Sequence, residues 1–217
     1  SIVRFYEEVV PKMIIAPVLL QGEKSFSEIM QAQEMTALTA CACASANLNS
    51  PVLCSGANLA YEKITFLAFH VFEGADRTAT GDDMFLMLKV QDKFPGEIGY
   101  VRSKEAAVFT SPEKTSGSAF RQRKRWASKT FSYSLKDEST HRRDGFSRVT
   151  GVAILIFLTN FLILFSGIMS AINLKFVLVP AICISAKFLV DFMLVYSASS
   201  FFGKKFNLFA FVIASLA

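Results

Sequence analysis

The chain has 217 residues, of which 52% are hydrophobic, with a mean hydropathy of +0.39 and a formal net charge of +5. That hydropathy is high for a soluble protein, and the length suffices for one domain with a real core plus some membrane helices. The apolar excess is unevenly spread: after Arg148 the only charges are Lys175, Lys187, Asp191, Lys204 and Lys205. The cationic excess lies in the stretch from Arg121 to Arg148, just ahead of an apolar run. That position fits contact with anionic lipid better than nucleic-acid binding. There is no signal peptide pattern, and both ends read as cut from a longer chain.

Residues 1–11 read as the tail of a helix. Lys12 to Leu20 is a short apolar run of strand length, and Pro17 argues for an edge position or a strand end. Ser25 to Ala46 reads as a helix, because Phe26, Ile29, Met30, Met35, Leu38 and Cys41 approximate the helical period. Gln31 and Glu34 are polar exceptions on it. Asn47 to Pro51 breaks that helix. Val52 to Tyr61 is read as a strand, a glycine turn at Gly56, and a short segment entering the next helix. Gly56 is open to two readings, a plain turn or a place where backbone approaches a ligand closely.

Residues 73–81 form a polar loop that ends in Thr80-Gly81-Asp82-Asp83. A helix follows, with Met84, Phe85, Met87, Leu88 and Val90 apolar. Two acids at a helix start are ordinary partners of the helix dipole. A functional pair would instead hold a carboxylate at a cleft edge, within reach of a hydroxyl proton. Gly99–Val101 and Ala106–Thr110 read as short strands, and Pro112, Ser116 or Ser118 as helix-start residues.

The next helix carries Phe120-Arg121-Gln122-Arg123-Lys124-Arg125-Trp126. Gln122, Arg125 and Trp126 fall at i, i+3 and i+4 and so share one face. Amide and indole N–H groups bond sugar hydroxyls, the indole face stacks on sugar C–H groups, and a guanidinium grips phosphate. The other reading of the same helix is a basic juxtamembrane segment that meets only lipid head groups.

Val149 to Leu174 is long and apolar enough to span a bilayer, and Phe176 to Tyr196 is a second candidate. Phe206 opens a possible third. Lys187 and Asp191 lie four apart and can pair, which softens their cost in lipid. Helix packing or contact with the preceding domain is the favoured reading of that pair. The basic region from 121 to 148 places the preceding domain in the cytosol, and Lys204-Lys205 returns to the same side. The four cysteines, Cys41, Cys43, Cys54 and Cys183, lack metal spacing and read as unpaired apolar fillers. His70 reads as structural and His141 as surface.

Cys54-Ser55-Gly56-Ala57-Asn58, then Gly81-Asp82-Asp83, then Gln122-x-x-Arg125-Trp126, with two candidate spans directly after, stand in an order that resembles the membrane-bound family 2 glycosyltransferases. This group includes cellulose, chitin and hyaluronan synthases. The resemblance implies an α/β fold: the acceptor-side half of a GT-A domain followed by transmembrane α-helices. The implied divisions are 1–118 for the partial catalytic domain, 119–148 for the interfacial helix region and 149–217 for the membrane region. It also implies inverting transfer of a sugar from a nucleotide-sugar donor to a glycan or lipid-linked acceptor at the cytosolic face of the cell's inner membrane. Asp83 would be the general base. Asp82, Gly56, Asn58, Gln122, Arg125 and Trp126 would line the acceptor and donor subsites, and Gln31 and Glu34 fall where relatives carry a polar helix flanking the cleft. Asp83 and Trp126 would then face a common cavity. Relatives hold a divalent metal, Mg or Mn, mainly through an Asp-x-Asp motif. No Asp-x-Asp occurs in these residues, so this chain alone is expected to be inactive and to lack the metal's main ligands. A non-enzymatic adaptor, a lipid or nucleic-acid binder, and a transporter using Lys187 and Asp191 are the rivals.

Overall fold

The computed structural model describes residues 1–22, 24–68, 82–134, 144–173 and 177–216. His70, His141, Thr80 and Gly81 lie outside these described residues, as does the rest of the 73–81 loop.

Helix α1 (Ile2–Val9) starts on Ser1, whose Oγ accepts from the Arg4 amide, and ends at Val10 in a left-handed conformation. The expected single run from Lys12 to Leu20 is two strands, β1 (Met13–Ile15) and β2 (Val18–Leu20), in different sheets. Ala16 and Pro17 make the crossing. Pro17 has no N–H for a ladder, but its carbonyl accepts from the Val108 amide and starts the second pairing. β1 is the centre of a three-stranded sheet, antiparallel to β3 (Leu59–Tyr61) and parallel to β4 (Ile98–Tyr100). β2 pairs in parallel with β5 (Val108–Thr110).

Helix α2 (Phe26–Asn47) is capped by Ser25, whose Oγ accepts from the Glu28 amide, while the Glu28 carboxylate accepts from the Lys24 amide. This is a capping-box arrangement displaced by one residue. Its most buried positions are small or polar: Gln31, Ala32, Gln33, Thr36, Thr39, Ala42 and Ala46. The apolar stripe read from the sequence is only partly buried, apart from exposed Phe26. The reason is that α2 is covered on two sides, by β2 and β4 and by the apolar C-terminal helices. Small side chains let those neighbours approach.

The strand expected before Gly56 forms after it, as β3. Val52 and Cys54 spend their amides on Ser45 Oγ and Met84 Sδ, not on a neighbouring strand. A short helix α3 (Lys63–Ala68) follows β3, and α4 (Asp82–Lys93) begins beyond the undescribed segment. The core lies between the three-stranded sheet, α2 and α4, with Met13, Ile15, Leu86, Met87, Leu88, Val90 and Ile98 buried together.

Helix α5 (Ser116–Ser134) opens on a reciprocal pair: the Ser118 amide donates to Thr115 Oγ1 and the Thr115 amide to Ser118 Oγ. Helices α6 (Asp144–Ile172), α7 (Leu178–Phe202) and α8 (Leu208–Leu216) follow. Gly151–Ile172 and Leu178–Phe202 are long and apolar enough to cross a membrane. At about 1.5 Å per residue each exceeds the ~30 Å hydrocarbon core. Gly203, at φ 65°, ends α7 and sends the chain back. The Lys204 ammonium then donates to the Leu20 carbonyl at 3.1 Å, pinning the end of α7 to β2. α8 packs against α2 and α7, with the Phe209 ring 5.3 Å from that of Phe26 and tilted by 47°. Lys187 pairs with Asp191 at 2.7 Å, and both also bond Ser215 of α8, so the pair ties α7 to α8. All four cysteines are unpaired, and Cys183 is exposed on the flank of α7.

Candidate active site at the start of α4

Asp83 stands in the first turn of α4. Its Oδ2 accepts from the Gly56 amide at 2.8 Å and its Oδ1 from the Met84 amide at 2.9 Å. The carboxylate is therefore held in one orientation, and the two bonds leave lone pairs on both oxygens. The sequence brings Gly56 there by anchoring the loop at either end. Cys54 is buried against Met84, with its Sγ 3.8 Å from the Met84 Sδ. That burial, aided by the charge of Asp83, pushes the Cys54 thiol well up, so it stays protonated and unreactive.

Gly56 does not adopt a left-handed conformation. The turn alone would accept another residue. A Cβ at Gly56 would lie 3.4 Å from Asp83 Oδ2 and 3.5 Å from its Cβ. What glycine provides is open space beside the carboxylate.

Asn58 is buried at 7% exposure, and its amide donates to the carbonyls of Pro17 and Ala106 at 2.8 and 2.7 Å. Both side-chain hydrogens are thus spent on holding the 54–58 loop to the crossing between the two sheets. Its own carbonyl accepts from the Ala16 amide. Asn58 acts on this site by fixing the loop that carries Gly56.

A second feature is a cleft between α2, α5 and the end of β2. Leu20, Met35 and Leu38 give it an apolar floor. Gln31, Glu34, Gln122 and Arg123 line its polar sides, and Trp126 also borders it. The α5 face turned inward is Ala119, Gln122, Arg123 and Trp126. Gln122 donates to Glu113 at 3.3 Å, and Gln31 exchanges two hydrogen bonds with the Glu113 backbone. Arg123 grips Glu34 through Nε and Nη2, which raises the pKa of its guanidinium. Arg125, which the sequence groups with Gln122 and Trp126, is exposed and does not line this cleft. The family resemblance put Glu34, with Gln31, on a polar helix flanking the cleft, but it gave Glu34 no partner and Arg123 no role. An acid on one helix facing a run of arginines was the signal available.

Asp83 is not among the residues that line the Trp126 cleft. β2 connects the two regions: Pro17 bonds Asn58 at one end and Leu20 lines the cleft at the other. Three residues of strand correspond to about 10 Å. Asp82 opens α4, and its side chain lies outside what is described, as do residues 69–81. Among the described residues no three His, Cys, Asp or Glu side chains converge as metal ligands. The described residues therefore do not furnish the divalent-metal site that the resemblance implies, and no step is derived through one.

The described residues form a mixed α/β domain with a fixed carboxylate, a tryptophan-bearing cationic helix and two long apolar helices. The family described as "Glycosyl transferase family group 2" matches residues 2–213, and the chain belongs to that family. The match runs through both candidate spans. No curated protein and no solved structure matches the chain.

Proposed function

We propose that this chain carries the acceptor side of an inverting glycosyltransferase working at the cytosolic face of the cell membrane, with Asp83 as the general base. The acceptor hydroxyl gives its proton to an Asp83 oxygen as its oxygen attacks the anomeric carbon of a nucleotide-sugar donor. The new glycosidic bond forms as the bond to the diphosphate breaks, and the nucleotide diphosphate departs. Gly56 leaves room for the hydroxyl, and Trp126 and Gln122 border the path by which a glycan or lipid-linked acceptor arrives. Arg125, an exposed residue of α5, is assigned to the anionic groups of donor or lipid. The catalytic portion is residues 1–118, the α5 region is interfacial, and α6 and α7 span the bilayer.

The observation that carries this reading is the Gly56–Asp83 hydrogen bond in a chain of this family. It holds one carboxylate rigidly at a helix start, beside space that a side chain would fill. The experiment is radiolabelled sugar transfer in membranes expressing the full-length gene product, wild type against Asp83→Asn. The variant should insert normally and lose on the order of 10²–10⁴-fold in transfer. Wild-type turnover would remove Asp83 from the mechanism.

A further inference from the structure

The grip of Arg123 on Glu34 is a contact to which the family resemblance gives no role. It bridges α2 and α5 directly beside Trp126, and both partners line the same cleft as the indole. We propose that Glu34 is a positioning residue: acting through Arg123, it fixes the rotation of α5 so that Gln122 and Trp126 face the cleft. The role of the cleft in acceptor binding rests on the function proposed above; the positioning itself does not.

Three observations carry it. First, α5 offers four cations within five residues, Arg121, Arg123, Lys124 and Arg125, on a helix whose only fully buried residue among those described is Ala119. Burial alone does not choose which face turns inward. Second, the Arg123–Glu34 contact engages two guanidinium nitrogens. A fork of that kind fixes direction as well as distance, which a lysine point charge does not. Third, residues 123 and 126 are one turn apart, so holding one sets the position of the other. Glu34 is held in turn by α2, whose first turn is capped and whose Gln31 is bonded to the segment leading into α5.

Trp126 is the only tryptophan in the chain and is 38% exposed, so its fluorescence reports the proposed effect without any ligand. The experiment uses the 217-residue chain in lipid nanodiscs with acrylamide as quencher. Glu34→Gln and Arg123→Lys, which keep shape or charge but lose the fork, should each shift Trp126 emission to the red and raise quenching. The exchange Glu34→Arg with Arg123→Glu should restore the wild-type signal. If Glu34 serves stability alone, Glu34→Gln will lower the melting temperature and leave emission and quenching unchanged below the transition. That outcome overturns the proposal, as does an exchange variant that folds by circular dichroism but fails to restore the signal. In the membrane transfer assay Glu34→Gln should reduce transfer by up to about a hundredfold, the cost of misplacing a substrate-positioning group by about an ångström. Asp83→Asn in the same assay keeps the two ideas apart. Full transfer by that variant with a shifted Trp126 signal in Glu34→Gln sinks the base and leaves the positioning role standing.

Discussion

The amide of Gly56 and the carboxylate of Asp83 meet at 2.8 Å, although 27 residues separate them in the chain. The contact uses the glycine twice: its N–H orients the carboxylate, and its missing side chain leaves that carboxylate open. Gly56→Ala keeps the N–H and adds a methyl group 3.4 Å from Oδ2. Because the backbone is not left-handed there, the variant should fold with wild-type stability. If Oδ2 is the oxygen that takes the acceptor proton in the proposed reaction, sugar transfer should drop by about tenfold or more. Unchanged transfer would mean that the substrate approaches Asp83 from another side.

Asn58→Ala should act through folding. It removes two buried hydrogen bonds and leaves the carbonyls of Pro17 and Ala106 without this donor. The expected cost is about 2–4 kcal/mol, read from urea unfolding of the chain in detergent. Transfer per folded molecule should stay within a few-fold of wild type at low temperature. A large loss of acceptor affinity with little loss of stability would return Asn58 to the binding residues.

Gly99 lies under α1. A Cβ at this position would meet the Phe5 ring at 2.6 Å, too close to be accommodated without a shift. Gly99→Ala should cost about 1–3 kcal/mol by displacing α1 from the sheet. Adding Phe5→Leu should recover part of that loss, and a double-mutant cycle measures the coupling.

Lys12 and Glu62 join β1 to the segment after β3, with the ammonium 2.9 Å from the carboxylate. The hydrogen bond from Lys12, with further bonds from Thr65 and Tyr6, lowers the Glu62 pKa. A depressed folded-state pKa contributes stability above the unfolded value, about 4.3, and that stability is lost as pH falls through the folded value. Unfolding midpoints measured from pH 7 down to 3 should therefore fall less steeply in Glu62→Gln than in wild type. Parallel curves would show that the pair contributes nothing to acid sensitivity.

Gln33 is 5% exposed on α2, and both polar atoms of its amide lack a hydrogen-bond partner among the described residues. Gln33→Met keeps the volume and removes the desolvated amide. It should stabilise the fold by about 1–3 kcal/mol, visible as a raised melting temperature. A destabilised variant would show that the amide does have a partner in solution, such as an ordered water.

Much of this molecule was readable from local pattern. The helix expected over 25–46 is Phe26–Asn47, and the spans expected near 149–174 and 176–196 contain Gly151–Ile172 and most of Leu178–Phe202. Capping residues, helical periodicity and uninterrupted apolar length are properties of neighbouring residues, so the sequence by itself determined these elements. It also placed Asp83 at a helix start and Gln122 and Trp126 on one helix.

Only the tertiary structure decided what each side chain does. The run from Lys12 to Leu20 divides between two sheets because the Pro17 carbonyl is claimed by Val108 and Asn58, from distant parts of the chain. Asn58 becomes a brace for the same reason. Arg123 turns into the cleft and Arg125 stays exposed because Glu34, 89 residues earlier than Arg123, lies opposite one of them. Helical spacing gives each arginine a direction on its own helix; which direction faces inward depends on a partner that local pattern does not contain.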